Sequence, residues 1–267
     1  MNNNYIGVFD SGLGGLTVVK SLIETMPDEN IIYFGDIAHV PYGTRSKEQI
    51  TEYVMQDVKF LQKFDIKTIV IACNTADSIA RKRVEEICTV PVFGVVEPAA
   101  RYAAETTKNN RIGVIATNAT VNSGAYKTAI EKYNPDAQVF AIACPLLVPL
   151  VEEGRFRRGD EVTERVVAEY LEPLKKAEID TLVLGCTHYP LLMDIISDAV
   201  PGVNIINSGE TAARLVKSEL EKSGIENTGN EKPVRRYFVN DSKDEFEKHA
   251  SLFMGRSLET DVEQVEV

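Results

Sequence analysis

The chain contains no tryptophan, only three histidines and only four cysteines in 267 residues. No apolar run is long enough to span a bilayer. The cysteines include no Cys-x-x-Cys pair, which disfavours a thiol–disulfide oxidoreductase and close-spaced zinc ligation alike. In a reducing compartment they are expected to be free thiols. Basic residues are also short: 29 Lys and Arg face 40 Asp and Glu, a net charge of −11. That balance argues against nucleic acid or an anionic membrane as the main partner. A small anionic substrate stays open, because helix N-termini and backbone amides bind carboxylates locally. The N-terminus, Met1-Asn-Asn-Asn-Tyr5, has neither a basic region nor a cleavable apolar segment, so a cytoplasmic protein is expected. At 44% apolar and 26% charged residues the chain reads as globular, with length for two domains.

What is present is a repeat. Tyr5-Ile-Gly-Val-Phe-Asp-Ser11 is like Arg111-Ile-Gly-Val-Ile-Ala-Thr117, and Glu29 to Asp36 is like Ala137 to Cys144. Lys67-Thr-Ile-Val-Ile-Ala-Cys73-Asn-Thr75 is like Asp180-Thr-Leu-Val-Leu-Gly-Cys186-Thr-His188. Val90 to Val95 and Gly202 to Ser208 close each set. The offsets from Ile6 to Ile112, Asp36 to Cys144 and Cys73 to Cys186 are 106, 108 and 113 residues. Near-constant offsets indicate a duplicated βα unit. Helix-like stretches lie between the strands, over Gly15 to Glu24, Lys47 to Phe64 and Ala76 to Ile87. The expected fold is α/β: two pseudo-symmetric parallel-sheet domains with a site in the cleft between them. Residues 1–97 plus 208–267 are expected to form the first domain and 98–207 the second. The charged tail should hold a helix over Glu210 to Ser223, a turn over Gly224 to Asn230, a strand over Val234 to Val239 and a helix over Asp244 to Phe253, and should return to pack on the first half.

Ligands on parallel sheets bind beyond the carboxyl ends of the strands. Cys73 and Cys186 should therefore face a shared cleft, one from each half. Each precedes polar residues expected to open a helix, where a thiolate is stabilised. Cysteine is also a common buried filler, and that bland reading is preferred for Cys88 and Cys144. His188, two residues beyond Cys186, could serve as a general acid or tune the thiol; His39 and His249 carry no such context. Asp10-Ser-Gly-Leu-Gly-Gly15 follows the first strand, and Asp36 ends the second. The layout invites a dinucleotide reading, but Thr17 holds the third glycine position and Asp10 would repel a pyrophosphate. A tight turn capped by Asp10 or Ser11 is the plain alternative.

Four motifs in order identify a resemblance. Phe9 to Val18, Val40-Pro-Tyr-Gly43, Ile71-Ala-Cys-Asn-Thr-Ala76 and Leu184-Gly-Cys-Thr-His-Tyr-Pro-Leu-Leu192 resemble those of the cofactor-independent glutamate racemases, in the aspartate/glutamate racemase superfamily. The likeness runs from the first strand to about Ser208; the last sixty residues carry no diagnostic motif. It implies interconversion of L- and D-glutamate without a cofactor or metal, D-glutamate supply for peptidoglycan and so for cell-wall biogenesis and cell shape, and a homodimer. Cys73 resembles the base acting on D-glutamate and Cys186 its counterpart for L-glutamate. Asp10 and His188 resemble their proton-handling partners, and Glu152 a further acid beside the second thiol. Ser11, Pro41, Tyr42, Gly43, Asn74, Thr75, Thr117, Thr120 and Thr187, with Asp10, Cys73, Cys186 and His188, match substrate-binding positions. Ile37 and His39 depart from the usual Thr and Arg, which bears on regulation and assembly rather than on activity.

Two bases suit racemisation, since a proton must leave one face of Cα and return to the other. Thiols suit it through a reference pKa near 8.5. The stretch carries no pyridoxal lysine motif, so fixed amides and hydroxyls must stabilise the carbanion in a closing cleft. A racemase of aspartate or another small acidic amino acid, and a non-catalytic amino-acid binding protein, are the competing expectations.

Overall fold

The structure is a computed structural model that describes residues 4–229, 232–258 and 260–267. Residues 1–3, in the N-terminal stretch read above, and Asn230 of the expected turn lie outside the described residues.

In chain order the first half contains β1 (Tyr5–Asp10), α1 (Leu16–Thr25), β2 (Ile31–Gly35), α2 (Lys47–Leu61), β3 (Ile66–Ile71), α3 (Asn74–Ile87), β4 (Val92–Gly94) and α4 (Val96–Thr106). Then follow β5 (Arg111–Ala116), α5 (Asn118–Ser123), α6 (Ala125–Tyr133), β6 (Gln138–Ala143), α7 (Leu147–Glu152), α8 (Glu161–Lys176), β7 (Thr181–Gly185), α9 (Met193–Ala199) and β8 (Asn204–Asn207). The tail holds α10 (Ser208–Ser223), β9 (Arg235–Val239), α11 (Lys243–Met254) and β10 (Val262–Gln264).

The repeat is borne out in topology. One sheet runs β10-β9-β2-β1-β3-β4 and the other β6-β5-β7-β8, so β2-β1-β3-β4 and β6-β5-β7-β8 share one order. Every pairing is parallel. The tail strand β9 adds to the first sheet through β2, with Tyr33 opposite Tyr237. β10 was not expected: three residues, two of them exposed and polar, give no strand signal.

Helix starts follow their caps. α3 begins two residues before the expected Ala76 because Cys73 is itself the N-cap. α10 begins at Ser208 rather than Glu210 because Asn207 Oδ1 accepts from Gly209 N at 2.9 Å. α2 opens with a reciprocal capping box between Ser46 and Gln49. It ends at Leu61 rather than Phe64, where the chain tightens into three-residue turns, Lys63 N to Phe60 O and Phe64 N to Leu61 O.

Alternate strand residues pack on opposite faces. Phe9, Phe34 and Ile71 meet α2 and α3 on one face of the first sheet. Ile6, Val8, Tyr33 and Val70 lie on the other, in a core continuous with Leu22 of α1, Val216 of α10 and Leu182 and Leu184 of β7. Ile112, Val114 and Val183 pack beneath α4 and α6. The two sheets are thus joined through shared apolar contacts, and their strand ends face one cavity.

Candidate functional site

The cavity is lined by the segments that leave β1, β2, β3, β5, β6 and β7 at their carboxyl ends. Ser11, Pro41, Tyr42, Gly43, Cys73, Asn74, Thr75, Thr117, Glu152, Cys186, Thr187 and His188 all line it. Its free volume is about 40 Å³, room for roughly three waters. Asp10 and Thr120 stand one layer behind, fully buried. Gly12, Val40 and Val148 line it as well and were not expected. Gly12 and Val40 belong to motifs already singled out, whereas Val148 looks like an ordinary core residue in the sequence.

Cys73 caps α3. Its sulfur accepts from Ala76 N at 3.5 Å and donates to Ser11 Oγ at 3.6 Å. Burial works against the thiolate that the helix start favours. Burial, reinforced by the nearby Asp10 carboxyl, pushes Cys73 up to about 12, against the opposing bonds from Ala76 and Ser11. The helix end does not outweigh the loss of water.

Cys186 has a different setting, and here the expected symmetry fails. No α-helix starts at Thr187. The chain bends, Tyr189 N bonds back to Cys186 O at 3.2 Å, and a 3-10 turn over Tyr189–Leu192 precedes α9. Pro190 inside that turn has no N–H to offer an α-helical ladder. The neighbour of this thiol is His188, whose Nδ1 lies 3.9 Å from Cys186 Sγ. The other ring nitrogen, Nε2, is 3.1 Å from Glu152 Oε1. Burial disfavours charge on the ring, but the bonds to Cys186 and Glu152 prevail and push His188 up to about 10. The ring packs edge-on to Phe253 of α11.

The two halves meet tightly around the thiols. Asp10 Oδ2 accepts from Gly12 N at 3.0 Å, and Thr187 Oγ1 lies 3.5 Å from Asp10 Oδ1. Burial raises Asp10, opposed by His188 and by the amides of Gly15 and Gly12. Thr17 Oγ1 reaches Thr187 O at 2.9 Å. A Cβ on Gly14 would sit 2.2 Å from Thr187 Oγ1 and 2.6 Å from His188 Nδ1. The space a pyrophosphate would need over this glycine loop is thus filled by the opposite half, which removes the dinucleotide reading. On the other side Thr75 Oγ1 bonds Thr117 Oγ1 at 2.9 Å and Thr120 Oγ1 at 3.1 Å. Asn74 Oδ1 accepts from Tyr126 OH at 2.6 Å. These bonds fix the hydroxyls and amide beside Cys73.

His39 lies outside the lining. Its Nδ1 is 2.7 Å from Asp36 Oδ1, and its ring stacks on Tyr53. Ile37 borders a neighbouring cavity with Leu13, Phe246 and Leu252. Among the described residues no group of three His, Cys, Asp or Glu side chains is arranged to hold a metal ion. No described helix is long and apolar enough to cross a membrane.

A family model described as Asp/Glu/Hydantoin racemase matches residues 6–216. A curated glutamate racemase of Neisseria meningitidis serogroup B is 49% identical over 255 residues, covering 95% of this chain and 94% of its own length. The crystal structure of a glutamate racemase isoform from Bacillus anthracis superimposes with a TM-score of 0.93 at 38% identity, covering 100% of this chain and 99% of that one. The glutamate racemase of Francisella tularensis, crystallised in complex with D-glutamate, gives 0.92 at 38% identity, covering 100% and 98%.

Proposed function

Since this chain belongs to the aspartate/glutamate/hydantoin racemase family and is an amino-acid racemase, we propose that it interconverts L- and D-glutamate by a two-thiol, two-base mechanism. The observation that carries this reading is that Cys73 and Cys186, supplied by opposite halves, line the same cavity. The glutamate named for its relatives is taken as its substrate.

From D-glutamate, the Cys73 thiolate takes the Cα proton and the Cys186 thiol returns a proton to the opposite face. From L-glutamate the roles reverse. Each turnover consumes one S–H bond and makes another, so no outside oxidant or reductant enters. The substrate ammonium acts on Cys73 against the burial that holds it protonated, since a neighbouring cation favours the thiolate. Asp10 handles the proton on the Cys73 side, and the His188 imidazolium, steadied by Glu152, handles it beside Cys186. The hydroxyls of Ser11, Thr75, Thr117 and Thr187, with Asn74 and the Tyr42–Gly43 backbone, hold the carboxylates and ammonium, and Thr120 fixes Thr75 and Thr117 from behind. Because residues of both halves line the cavity, the halves part to admit substrate and close over it.

We divide the chain at about residues 97 and 207, with 208–267 returning to the first unit, as the β2–β9 pairing supports. D-glutamate supply to peptidoglycan, a cytoplasmic location and a homodimer complete the proposal. The test is a circular dichroism assay with L- and D-glutamate and no added cofactor, run beside L- and D-aspartate. Turnover of both glutamate enantiomers is expected; turnover of aspartate alone, or of neither, would overturn it.

A further inference from the structure

Asp57 is a buried acid that the racemisation scheme leaves unused. It projects from α2 with 1% of its surface exposed, and its Oδ2 lies 3.1 Å from the Tyr42 hydroxyl. The same hydroxyl bonds Asp36 Oδ2 closely. Tyr42 has one proton to give, and Asp36 takes it. Asp36 accepts twice more, on Oδ1, from Asn240 Nδ2 and from His39 Nδ1. Three donors converging on one buried carboxyl are the supply an ionised carboxylate requires. Asp57 has no such supply: among the described residues its carboxyl meets only the Tyr42 oxygen, which presents lone pairs once its proton is spent. Two lone-pair oxygens at that distance, out of water, repel unless one carries a hydrogen.

We infer that Asp57 is held as the neutral acid at neutral pH, donates its carboxyl proton to the Tyr42 oxygen, and thereby acts as a positioning residue for the Pro41–Tyr42–Gly43 wall of the cavity. The surroundings agree. Burial pushes Asp57 upward and the Asp36 charge adds to it, as does Asp10 on β1, against the Tyr42 bond. Tyr33 on β2 is a further titratable group within electrostatic reach. The groups that act on Asp57 are therefore acids and phenols, and no cation among them offsets the loss of water.

The clamp has a mechanical role. The Tyr42 ring is buried and its far end is fixed between two acids, while Gly43 abuts Thr117 of the opposite half so closely that a Cβ would lie 2.9 Å from the Thr117 Cβ. Holding the ring holds the Tyr42–Gly43 backbone that lines the cavity together with Cys73. The chain of bonds continues outward through Asp36 to His39 and Asn240, and so to the segment that follows β9.

Only the kinetic arm of the test rests on the glutamate reading. Infrared difference spectroscopy of wild type minus Asp57→Asn at pH 7, without substrate, is expected to reveal a carboxylic-acid carbonyl band that shifts in deuterated water. Absence of that band overturns the inference. In kinetics, Asp57→Asn retains a donor, so KM for glutamate should stay within about twofold, whereas Asp57→Ala should raise it about tenfold through loss of one buried hydrogen bond, with a smaller change in kcat. Equal KM losses in both variants overturn the inference. An Asp57→Ala that fails to fold leaves the infrared and Asn arms decisive. A wild type without racemase activity would sink the glutamate reading and leave the infrared result standing.

Discussion

Glu152 and His188 form a pair in which the imidazole Nε2 stands 3.1 Å from the carboxylate while Nδ1 faces the Cys186 sulfur. Both bonds favour the charged ring, which is why His188 titrates near 10 despite burial. Its folded pKa lies above the unfolded value of about 6.5. The stability it contributes is therefore complete below that value and lost as pH rises through about 10. The His188 ring signal in NMR should titrate near 10, and Glu152→Gln should move it down. Denaturant midpoints of wild type should fall between pH 7 and 10 by more than those of His188→Asn. Titration of His188 near its unfolded value would refute the assignment.

The thiols make separate demands. Cys73→Ala or Cys186→Ala should each lower racemisation by at least about 10²–10⁴-fold, the usual contribution of a positioned base. Far-UV circular dichroism should be unchanged, because each sits at a strand end beside existing free space. In deuterated water the product should acquire deuterium at Cα, read by mass spectrometry. Near-wild-type turnover in either variant would be incompatible with two bases.

Gly14 tests how closely the halves must approach. Its added Cβ in Gly14→Ala would lie 2.2 Å from Thr187 Oγ1, so the Thr187–His188 loop must retreat. Overpacking of this kind costs about 1–3 kcal/mol. A Tm lower by several degrees and a kcat/KM lower by more than about tenfold are expected, since 1.4 kcal/mol in the barrier is a factor of ten. Wild-type values of both would mean that the loops adjust freely.

Asp77 ties the helix that begins at Cys73 to the start of α4. Its Oδ2 accepts from Val96 N at 2.7 Å, while Oδ1 meets Arg81 only at 3.6 Å. Burial raises Asp77 to about 6, against Arg81 and the Val96 and Val95 amides. For an acid raised on folding, the native state holds the proton longer, so stability falls as pH climbs from about 3.8 through about 6 and is level above. Chemical denaturation at pH 4, 5 and 7 should detect this loss in wild type and a smaller one in Asp77→Asn. Identical pH slopes would refute it.

Much of this architecture could be read from one chain. Strand offsets revealed the duplicated unit, because buried parallel strands leave long aliphatic runs that pair by inspection; the strand order itself came from the structure. The cavity residues next to Cys73 and Cys186 were legible for the same reason, since a strand end fixes where its followers point. Other features depend on tertiary placement. The upward displacement of Cys73 comes from burial and from Asp10, which lies 63 residues away in the chain. The Asp36–Tyr42–Asp57 cluster joins three separate segments and has no local pattern. The bend after Cys186 hinges on a Tyr-Pro step that the analogy with Cys73-Asn-Thr75 concealed. β10 is too short and polar to register, and becomes a strand only because β9 offers an edge.

That edge also orders events on the ribosome. The first sheet takes strands far apart in the sequence, β1 near residue 5 and β9 and β10 beyond residue 234. The β6-β5-β7-β8 sheet is fully synthesised by residue 207. The later-encoded sheet can therefore mature during translation, while β2 waits with one side unpaired until the closing stretch emerges from the exit tunnel. The framework that carries Cys73 is thus completed by the strands made last among those described, rather than by its own opening segment.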